Sequence, residues 1–332
     1  MASISFKDIQ TAQENIADIV YKTPITSSTL LNDWLGHDVF FKLECFQKTG
    51  SFKLRGATNF LRSHYRQHGS YPASILANSS GNHAQAVAYI GGKHNLPVKI
   101  FASKSISPIK AAATKHYGAS LNLFENRLLA DDAVQKEFED SRDAVWIPPF
   151  NHPCVIAGQG TAATEGLTEL DDIDALMIPC GGGGLAASTV IATRRLSSKA
   201  QVIAAEPLAA NDAAQSLRKG KIVTLDKTPE TLADGAATPA VGEYTFPLLQ
   251  QLDDLIEVDE TMIVYWTQWL QHLLKVHIEP TCAMTMHAVT TWLGKQKSKK
   301  RVLVIITGGN ISAKNMQKIW QQDHLNNIPS LN

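Results

Sequence analysis

The chain has 332 residues, of which 44% are apolar, so it is long enough for one large or two ordinary domains with packed cores. Basic and acidic residues each number 31, and the resulting net charge of zero provides no overall field to attract nucleic acid or an anionic membrane. No apolar run approaches the roughly 18 residues needed to cross a bilayer, and the N-terminal segment lacks the pattern of a secretion signal. We therefore expect a cytoplasmic protein that binds a small molecule.

Short apolar runs alternate with helical patterns along most of the chain. Strands are predicted at Val39–Leu43, Ser74–Ala77, Val98–Phe101, Leu121–Leu123, Ala144–Ile147, Ala175–Pro179, Val202–Ala205 and Val302–Ile306. Helices are predicted at about Phe6–Val20, from Gly50-Ser51 to Arg66, and at about Asn82–His94, Pro108–Tyr117, Leu128–Ser141, Val155–Leu170, Leu185–Leu196, Asn211–Lys219, Glu260–Lys275 and Cys282–Trp292, with a closing helix from about Ser312. Strands spaced by helices of this length are typical of βαβ units and parallel sheets.

Two interruptions divide this series. Pro148-Pro149 breaks it in the middle, and Lys221 to Gln251 contains several Pro and Gly residues and has the composition of a loop. We predict an α/β protein with two open, twisted, mostly parallel sheets, arranged as a discontinuous large domain (residues 1–70 and 150–332) and a small domain (residues 71–149). The four cysteines are far apart without paired spacing, which predicts free thiols rather than a zinc site or disulfides.

Lys53 falls in the first turn of the helix that follows Gly50-Ser51. The unpaired N–H groups at a helix N-terminus make it positive, so the pKa of a lysine amine there should fall. An unprotonated amine can form a Schiff base with a carbonyl cofactor. Taken alone, the residue also fits a solvated lysine near a helix cap.

Four consecutive glycines, Gly181–Gly184, lie between a predicted strand and a predicted helix; we refer to them as the glycine loop. Glycines let the backbone approach an anion closely, and the N–H groups of the loop and helix start would point at it, so a phosphate would fit there. A dinucleotide is an alternative, because Gly182, Gly184 and Ala187 match the looser Rossmann pattern and Glu206 ends the next strand. A purely structural turn is the third interpretation.

Two other strand ends carry polar residues. Ser79–His83, which we refer to as the substrate loop, offers hydroxyl and N–H groups to a carboxylate, although the same residues could simply cap a helix. Thr307 begins the run Thr307-Gly308-Gly309-Asn310 after the last strand, where α/β proteins bind ligands; an ordinary turn is the alternative there.

These stretches belong to a set of motifs that occur in one order over nearly the whole chain. The set comprises Ser51-Phe52-Lys53-Leu54-Arg55-Gly56-Ala57, Ser79-Ser80-Gly81-Asn82-His83-Ala84-Gln85, Val155-Ile156-Ala157-Gly158-Gln159-Gly160-Thr161, the glycine loop, Leu232-Ala233-Asp234-Gly235 and Thr307-Gly308-Gly309-Asn310. It resembles the pyridoxal-phosphate enzymes of the serine racemase and threonine/serine dehydratase family, which are of fold type II. The resemblance implies a tryptophan synthase β-like arrangement with the cofactor in the interdomain cleft, and it favours a phosphate over a dinucleotide at the glycine loop.

The resemblance also implies roles for individual residues. Lys53 would be bonded to the cofactor and act as the base, Phe52 would pack near the cofactor ring, Gly181, Gly182, Gly183 and Gly184 would bind its phosphate, Asn82 its 3′-oxygen and Thr307 its pyridine nitrogen. Ser79, Ser80, Gly81, Asn82 and His83 would hold the substrate carboxylate. Ser80 would also be catalytic, on the face of the substrate opposite Lys53.

The implied activity is that of an ammonia-lyase acting on L-serine, L-threonine or a related 3-hydroxy amino acid, with racemisation of serine as a second activity. The alternatives are an enzyme that is primarily a serine or aspartate-type racemase and, ranked lower, a β-replacement synthase or an NAD-binding dehydrogenase. Glu206, Ala210 and Asp212 resemble the divalent-cation loop of the family and would bind Mg²⁺, or Ca²⁺ or Mn²⁺, through oxygen. A homodimer is also implied.

Three positions depart from the serine racemase pattern. Thr307 adds a methyl group where serine is commoner, and Phe150 resembles the dehydratase branch. At the place where serine racemases present an arginine to the substrate, only Arg127 or Asp131 is available.

Overall fold

The computed structural model describes residues 4–331. The described helices are α1 (Phe6–Ile16), α2 (Thr29–Leu35), α3 (Lys53–His68), α4 (Asn82–Lys93), α5 (Pro108–His116), α6 (Arg127–Asp140), α7 (Pro153–Glu169), α8 (Gly184–Leu196), α9 (Asp212–Lys219), α10 (Phe246–Leu249), α11 (Glu260–Leu274), α12 (Pro280–Ala283), α13 (Thr285–Leu293) and α14 (Ala313–Ile319). The strands are β1 (Ile25–Ser27), β2 (Asp38–Leu43), β3 (Ser74–Asn78), β4 (Val98–Ser103), β5 (Ser120–Phe124), β6 (Ala144–Trp146), β7 (Ala175–Pro179), β8 (Gln201–Pro207), β9 (Asp254–Val258) and β10 (Arg301–Ile306).

The strands form two sheets. The larger has the order β1-β2-β10-β7-β8-β9, and all its neighbours are parallel except the short β1, which pairs with β2 in the antiparallel direction. The smaller has the order β5-β4-β3-β6 and is parallel throughout. The predicted α/β class with two mostly parallel sheets is therefore confirmed.

The smaller sheet is built from strands between residues 74 and 146, and the larger sheet from strands on either side of that range. Helix α3, however, packs on the smaller sheet, because Leu54, Ala57 and Leu61 are buried in one cluster with Ile75 of β3 and Ala84 of α4. The division into a large domain (residues 1–70 and 150–332) and a small domain (residues 71–149) remains a prediction.

Helices α3 and α7 cross in close contact because both have glycine at the crossing. A Cβ atom on Gly158 would lie 2.6 Å from the carbonyl oxygen of Arg55 and 2.8 Å from Cα of Gly56. Any larger residue would push the helices apart. This contact fixes the N-terminal end of α3, which begins with Lys53.

Among the described elements, β1, β9, α2 and α10 were not predicted from the sequence. Strands β1 and β9 lie at the two edges of the larger sheet, and α2 is a two-turn helix between β1 and β2. In β9 the acids Asp254 and Glu257 flank apolar residues that are only partly buried. Edge strands of this kind lack the continuous apolar run that marks a central parallel strand. Among residues 4–331, no helix combines the length and apolar character needed to span a membrane.

Candidate active site

A cavity of about 1050 Å³ lies at the carboxyl ends of β3, β7 and β10. Its walls include Lys53, the substrate loop, the glycine loop and Thr307, so the structure brings together the residues that the motifs predicted to share a site. Loops and helix starts converge at this edge because every central strand of a parallel sheet points the same way.

Lys53 is the first residue of α3, and its amine lies deep in the cavity. Its Nζ donates a hydrogen bond to the carbonyl oxygen of Pro149 (2.8 Å) and lies 5.1 Å from the centre of the Phe52 ring. Burial lowers the pKa of Lys53 to about 8, and the nearby charge of Arg127 contributes to the lowering. The pKa of Lys53 is thus lowered, as expected, but the causes are burial of the amine and the charge of Arg127.

The glycine loop leads directly into α8. Gly183 is the N-cap and has a left-handed backbone, with φ of 87°. Within residues 4–331 the N–H groups of Gly181, Gly182 and Gly183 have no hydrogen-bond acceptor, and the loop lies on the cavity wall. Free N–H groups at a helix N-terminus are suited to a phosphate.

Side chains packed behind the glycine loop leave no room for Cβ atoms. A Cβ on Gly182 would lie 2.3 Å from the Phe150 ring, and a Cβ on Gly183 would lie 2.8 Å from Leu249. Thr245 holds the loop by donating from its hydroxyl to the carbonyl oxygen of Gly182 (2.9 Å). The glycines at these positions are therefore required by packing as well as by ligand approach.

The substrate loop connects β3 to α4, which begins at Asn82. The hydroxyl oxygen of Ser79 accepts from the N–H of Gly81 (3.1 Å), and that of Ser80 accepts from the N–H of Ser103 (3.0 Å). Both serines keep their own hydroxyl protons for a ligand. The first N–H groups of α4 have no acceptor within the helix and can receive a carboxylate.

Asn82 joins the two sides of the cavity. Its Nδ2 donates to both carboxylate oxygens of Glu279 (2.9 Å each), and its Oδ1 accepts from Nδ2 of Asn310 (2.9 Å). Glu279 also accepts from the backbone N–H of Asn310 (2.9 Å) and is buried, which raises the pKa of its carboxyl group. Glu279 was not predicted, since no motif surrounds it in the sequence.

Thr307 follows β10 and is almost fully buried on the cavity wall. Its carbonyl oxygen accepts the N–H of Phe52 (3.0 Å), which ties the last strand to the start of α3. In the part of the chain that the structure describes, its hydroxyl group has no hydrogen-bond partner. The hydroxyl group is therefore available to form a hydrogen bond with a ligand in the cavity.

Two further cations line the cavity: Lys110, which was not predicted from the sequence, and Arg127, one of the two candidates for the substrate-facing arginine. Lys110, on α5, is nearly buried and donates to Asp234 (2.9 Å); burial would lower the pKa of Lys110, but the charges of Asp234 and Glu279 outweigh it and raise that pKa. Arg127, on α6, donates to the carbonyl oxygen of Ala237 (3.2 Å). Both side chains reach from the smaller sheet to the segment 234–237 on the other side of the cavity.

Glu206, Ala210 and Asp212 lie together but do not line the cavity. The two carboxylate oxygens of Glu206 accept the backbone N–H groups of Ala213 and Ala214 (2.9 Å each), whereas both oxygens of Asp212 are buried without a partner. Burial raises the pKa of Glu206 to about 9 and that of Asp212 to about 7. No cluster of three or more His, Cys, Asp or Glu ligands occurs among the described residues, so a cation here would need the Ala210 carbonyl or water.

Comparison with known proteins shows extensive similarity. Residues 16–308 match the family model described as "Pyridoxal-phosphate dependent enzyme". The chain is 38% identical to serine racemase of Schizosaccharomyces pombe over 92% of this chain and 94% of that protein, and 38% identical to L-threo-3-hydroxyaspartate ammonia-lyase of Saccharomyces cerevisiae over 93% and 94%. The structure of maize serine racemase superposes with a TM-score of 0.86, at 33% identity over 96% of this chain and 97% of that one.

Proposed function

Because the chain belongs to the family of pyridoxal-phosphate dependent enzymes, we propose that it is an ammonia-lyase that converts L-serine, L-threonine or a related 3-hydroxy amino acid into a 2-oxo acid and ammonia, with serine racemisation as a second activity. The observation that carries this proposal is the position of Lys53. Its amine, with a pKa lowered to about 8, lies in one cavity with the free N–H groups of the glycine loop and with the N-terminus of α4.

The residues present fit pyridoxal phosphate. Lys53 would bind its aldehyde, the free N–H groups of the glycine loop its phosphate, and the unpaired hydroxyl of Thr307 its ring nitrogen. Asn82 lies on the cavity wall, where its Nδ2 would move from Glu279 to the 3′-oxygen, and Phe52 flanks the site. When bound, the cofactor supplies an electron sink that makes the substrate's Cα–H bond acidic.

The protein side of the reaction follows from these contacts. The substrate loop would hold the α-carboxylate at the start of α4, in the same cavity as the Lys53 amine. With a pKa near neutrality, the Lys53 amine can take the Cα proton and later return it. The neutral hydroxyl of Thr307 does not fix a proton on the ring nitrogen as a carboxylate would, and this favours elimination of the β-hydroxyl group over transamination.

Racemisation needs a second proton carrier on the opposite face of Cα, and Ser80 supports that role. Its Oγ accepts the Ser103 N–H, so the same N–H would stabilise the oxygen after its proton has left. Ser80→Ala should therefore abolish the formation of D-serine and leave dehydration of L-serine within a few-fold of the unaltered enzyme. Chiral chromatography and an ammonia assay on the same sample measure the two activities. Equal loss of both would contradict the assignment of Ser80 to the second face.

A substrate with a second carboxylate is favoured by one observation. Lys110 and Arg127 both line the cavity, and Nζ of Lys110 lies 4.0 Å from the position of a Cβ atom on Gly81, in the substrate loop. A carboxylate on Cβ of the substrate would meet these cations. 3-Hydroxyaspartate, which appears in the name of the yeast relative, should therefore be tested as a substrate together with serine and threonine.

The experiment is a side-by-side assay of L-serine, L-threonine and 3-hydroxyaspartate with purified protein that shows a visible absorbance band abolished by borohydride. Lys53→Ala should lose the band and all turnover, whereas Lys93→Ala, at an exposed position of α4, should keep both. A colourless protein that binds NAD would overturn the proposal.

We include a divalent cation, Mg²⁺ or a similar ion, at Glu206, Ala210 and Asp212. The unpaired, buried oxygens of Asp212 support it, since oxygen ligands suit these ions. Mg²⁺ should raise the melting temperature of the wild type, and a chelator should lower it. Asp212→Asn should remove the response to both. We also propose a homodimer, on the family resemblance, and a cytoplasmic location, on the sequence features described above. Sedimentation measures the oligomeric state.

A further inference from the structure

The imidazole of His83 is a buried group of the site to which the reaction above gives no task. His83 is the second residue of α4, and its side chain is 2% exposed although the residue lies on the cavity wall. The backbone N–H of this residue belongs to the carboxylate-binding helix start. The side chain needs a separate explanation.

One nitrogen of the His83 ring is fixed by a hydrogen bond. Nε2 lies 2.8 Å from the carbonyl oxygen of Ile147, and a carbonyl can only accept, so Nε2 carries a proton. In the neutral ring this leaves Nδ1 as an acceptor. Nδ1 is buried and has no partner among residues 4–331. Buried acceptors are rarely left unpaired, so Nδ1 is suited to accept from a donor that comes near it during the reaction.

The His83 ring is uncharged near neutral pH. Burial lowers the pKa of His83 to about 3, and the charge of Lys53 contributes to the lowering, whereas the hydrogen bond to Ile147 only partly offsets them. His83 therefore cannot serve as a base near neutral pH. Its Nδ1 can only accept a hydrogen bond from a donor that keeps its proton.

Lys53 is a donor close to the ring, since its charge contributes to the lowered pKa of His83. Its Nζ is bound to the carbonyl oxygen of Pro149, while the His83 ring is bound to that of Ile147. These carbonyls are two residues apart, a distance of at most about 7 Å along the chain. The amine and the imidazole are thus anchored on carbonyls of the same short segment.

We propose, on the basis of the function proposed above, that Nδ1 of His83 accepts a hydrogen bond from the Lys53 ammonium group after it has taken the substrate's Cα proton. In that step the Cα–H bond breaks, its electron pair stays on the substrate side, and a new N–H bond forms on Nζ. His83 is a positioning residue: it holds the protonated amine near Cα. The charge of Arg127 on α6 acts on the Lys53 amine. The other charged residues that line the same cavity are Lys110, Glu125, Asp131, Asp234, Glu279, Lys314 and Lys318.

Two substitutions test the roles of the two ring nitrogens separately. His83→Gln places an amide N–H near the position of Nε2 and keeps a donor for Ile147, but has nothing at Nδ1. His83→Asn places an amide oxygen near Nδ1 and loses the bond to Ile147. The holoenzymes are compared in kcat and KM for the preferred hydroxy amino acid and its Cα-deuterated form. The visible absorbance band and the melting temperature report on cofactor binding and folding.

We expect His83→Gln to leave KM within about twofold and to lower kcat roughly 10- to 100-fold, the factor for one lost hydrogen bond to a charged group. Its deuterium isotope effect should exceed that of the wild type, because Cα proton transfer becomes slower. His83→Asn should retain more of kcat than His83→Gln, with a smaller isotope effect.

Three outcomes would overturn the inference. They are an unchanged kcat and isotope effect in His83→Gln, a lower kcat in His83→Asn than in His83→Gln, and loss of the visible band in His83→Gln, which would make the ring part of the cofactor scaffold. A wild type without turnover of any hydroxy amino acid would instead remove the proposed function itself, so the two failures are distinguishable.

Discussion

The chemistry available to Lys53 depends on where its proton is at neutral pH. A lysine with the usual pKa of 10.5 is unprotonated in fewer than about one molecule in a thousand at pH 7. With the pKa lowered to about 8, the unprotonated fraction at pH 7 rises to roughly one tenth. Burial accounts for most of this change, and the Arg127 charge adds to it.

The pH dependence of cofactor uptake should report this pKa. Only the unprotonated amine attacks the cofactor aldehyde, so the uptake rate of cofactor-free protein should rise up to pH 8 and level off above about pH 9. Arg127→Gln removes the second cation and should move the midpoint to higher pH, whereas Arg142→Gln, at an exposed position, should leave it in place. Stopped-flow absorbance measures the rate. A midpoint near 10.5 in the wild type would contradict the burial of the amine.

The residues found from the sequence share one property, since each stands in a contiguous motif between a strand and the first turn of the next helix. Lys53, Asn82, the glycine loop and Thr307 could be predicted because strand, turn and helix start are adjacent in the chain. Glu279 could not, because it meets Asn82 only through folding, 197 residues apart in the sequence. The tertiary fold alone makes such a contact.

At the scale of elements, the start of α8 combines a tight turn with a ligand cradle. The sequence predicted the strand and helix on either side, β7 and α8, nearly residue for residue, because both are continuous apolar patterns. It could not show that Phe150 and Thr245 pack behind the glycines, since these residues come from distant loops. The packing decides which glycines can be replaced.

Gly183→Ala should weaken cofactor binding at least about tenfold. The left-handed backbone at this position costs a non-glycine residue roughly 1–2 kcal/mol, and the added Cβ would lie 2.8 Å from Leu249 and 2.9 Å from Thr245, so the loop must shift. Gly220→Ala is the matched control, because Gly220 is also left-handed, with φ of 66°, but has no atom within 4 Å of a Cβ. Absorbance titration of cofactor-free protein gives the affinities. Equal affinities in the two variants would show that the loop tolerates the Cβ.

At the scale of the whole molecule, a buried charge cluster joins the helix that carries Lys53 to the rest of the protein. Arg55 forms two-pronged hydrogen bonds with Glu44 (2.7 Å each) and with Glu165 (2.7 and 2.9 Å). Lys42 donates to Glu165 (2.6 Å) and to the carbonyl oxygen of Thr23 (2.6 Å). The cluster links β2, α3, α7 and the segment after α1 at one point.

Arg55→Met should therefore destabilise the cofactor-free protein by about 3–5 kcal/mol, because it leaves the buried carboxylate of Glu44 without its charge partner. Arg62→Met is the control on the same helix. Arg62 pairs with Asp18, whose side chain is 64% exposed, so its loss should cost less than about 1 kcal/mol. Urea unfolding followed by tryptophan fluorescence measures both changes.

The same cluster should matter for the site, because Arg55 lies two residues from Lys53 and its carboxylate partners belong to the segment between β2 and α3 and to α7. When these anchors are lost, the start of α3 is still held by the hydrogen bond from the Phe52 N–H to Thr307 and by the contact between Gly56 and Gly158. Arg55→Met should then take up cofactor more slowly than Arg62→Met under conditions where both are folded. If the two variants unfold at the same urea concentration and bind cofactor alike, the charge cluster does not position the catalytic helix, and hydrophobic packing between α3 and α7 fixes Lys53 without it.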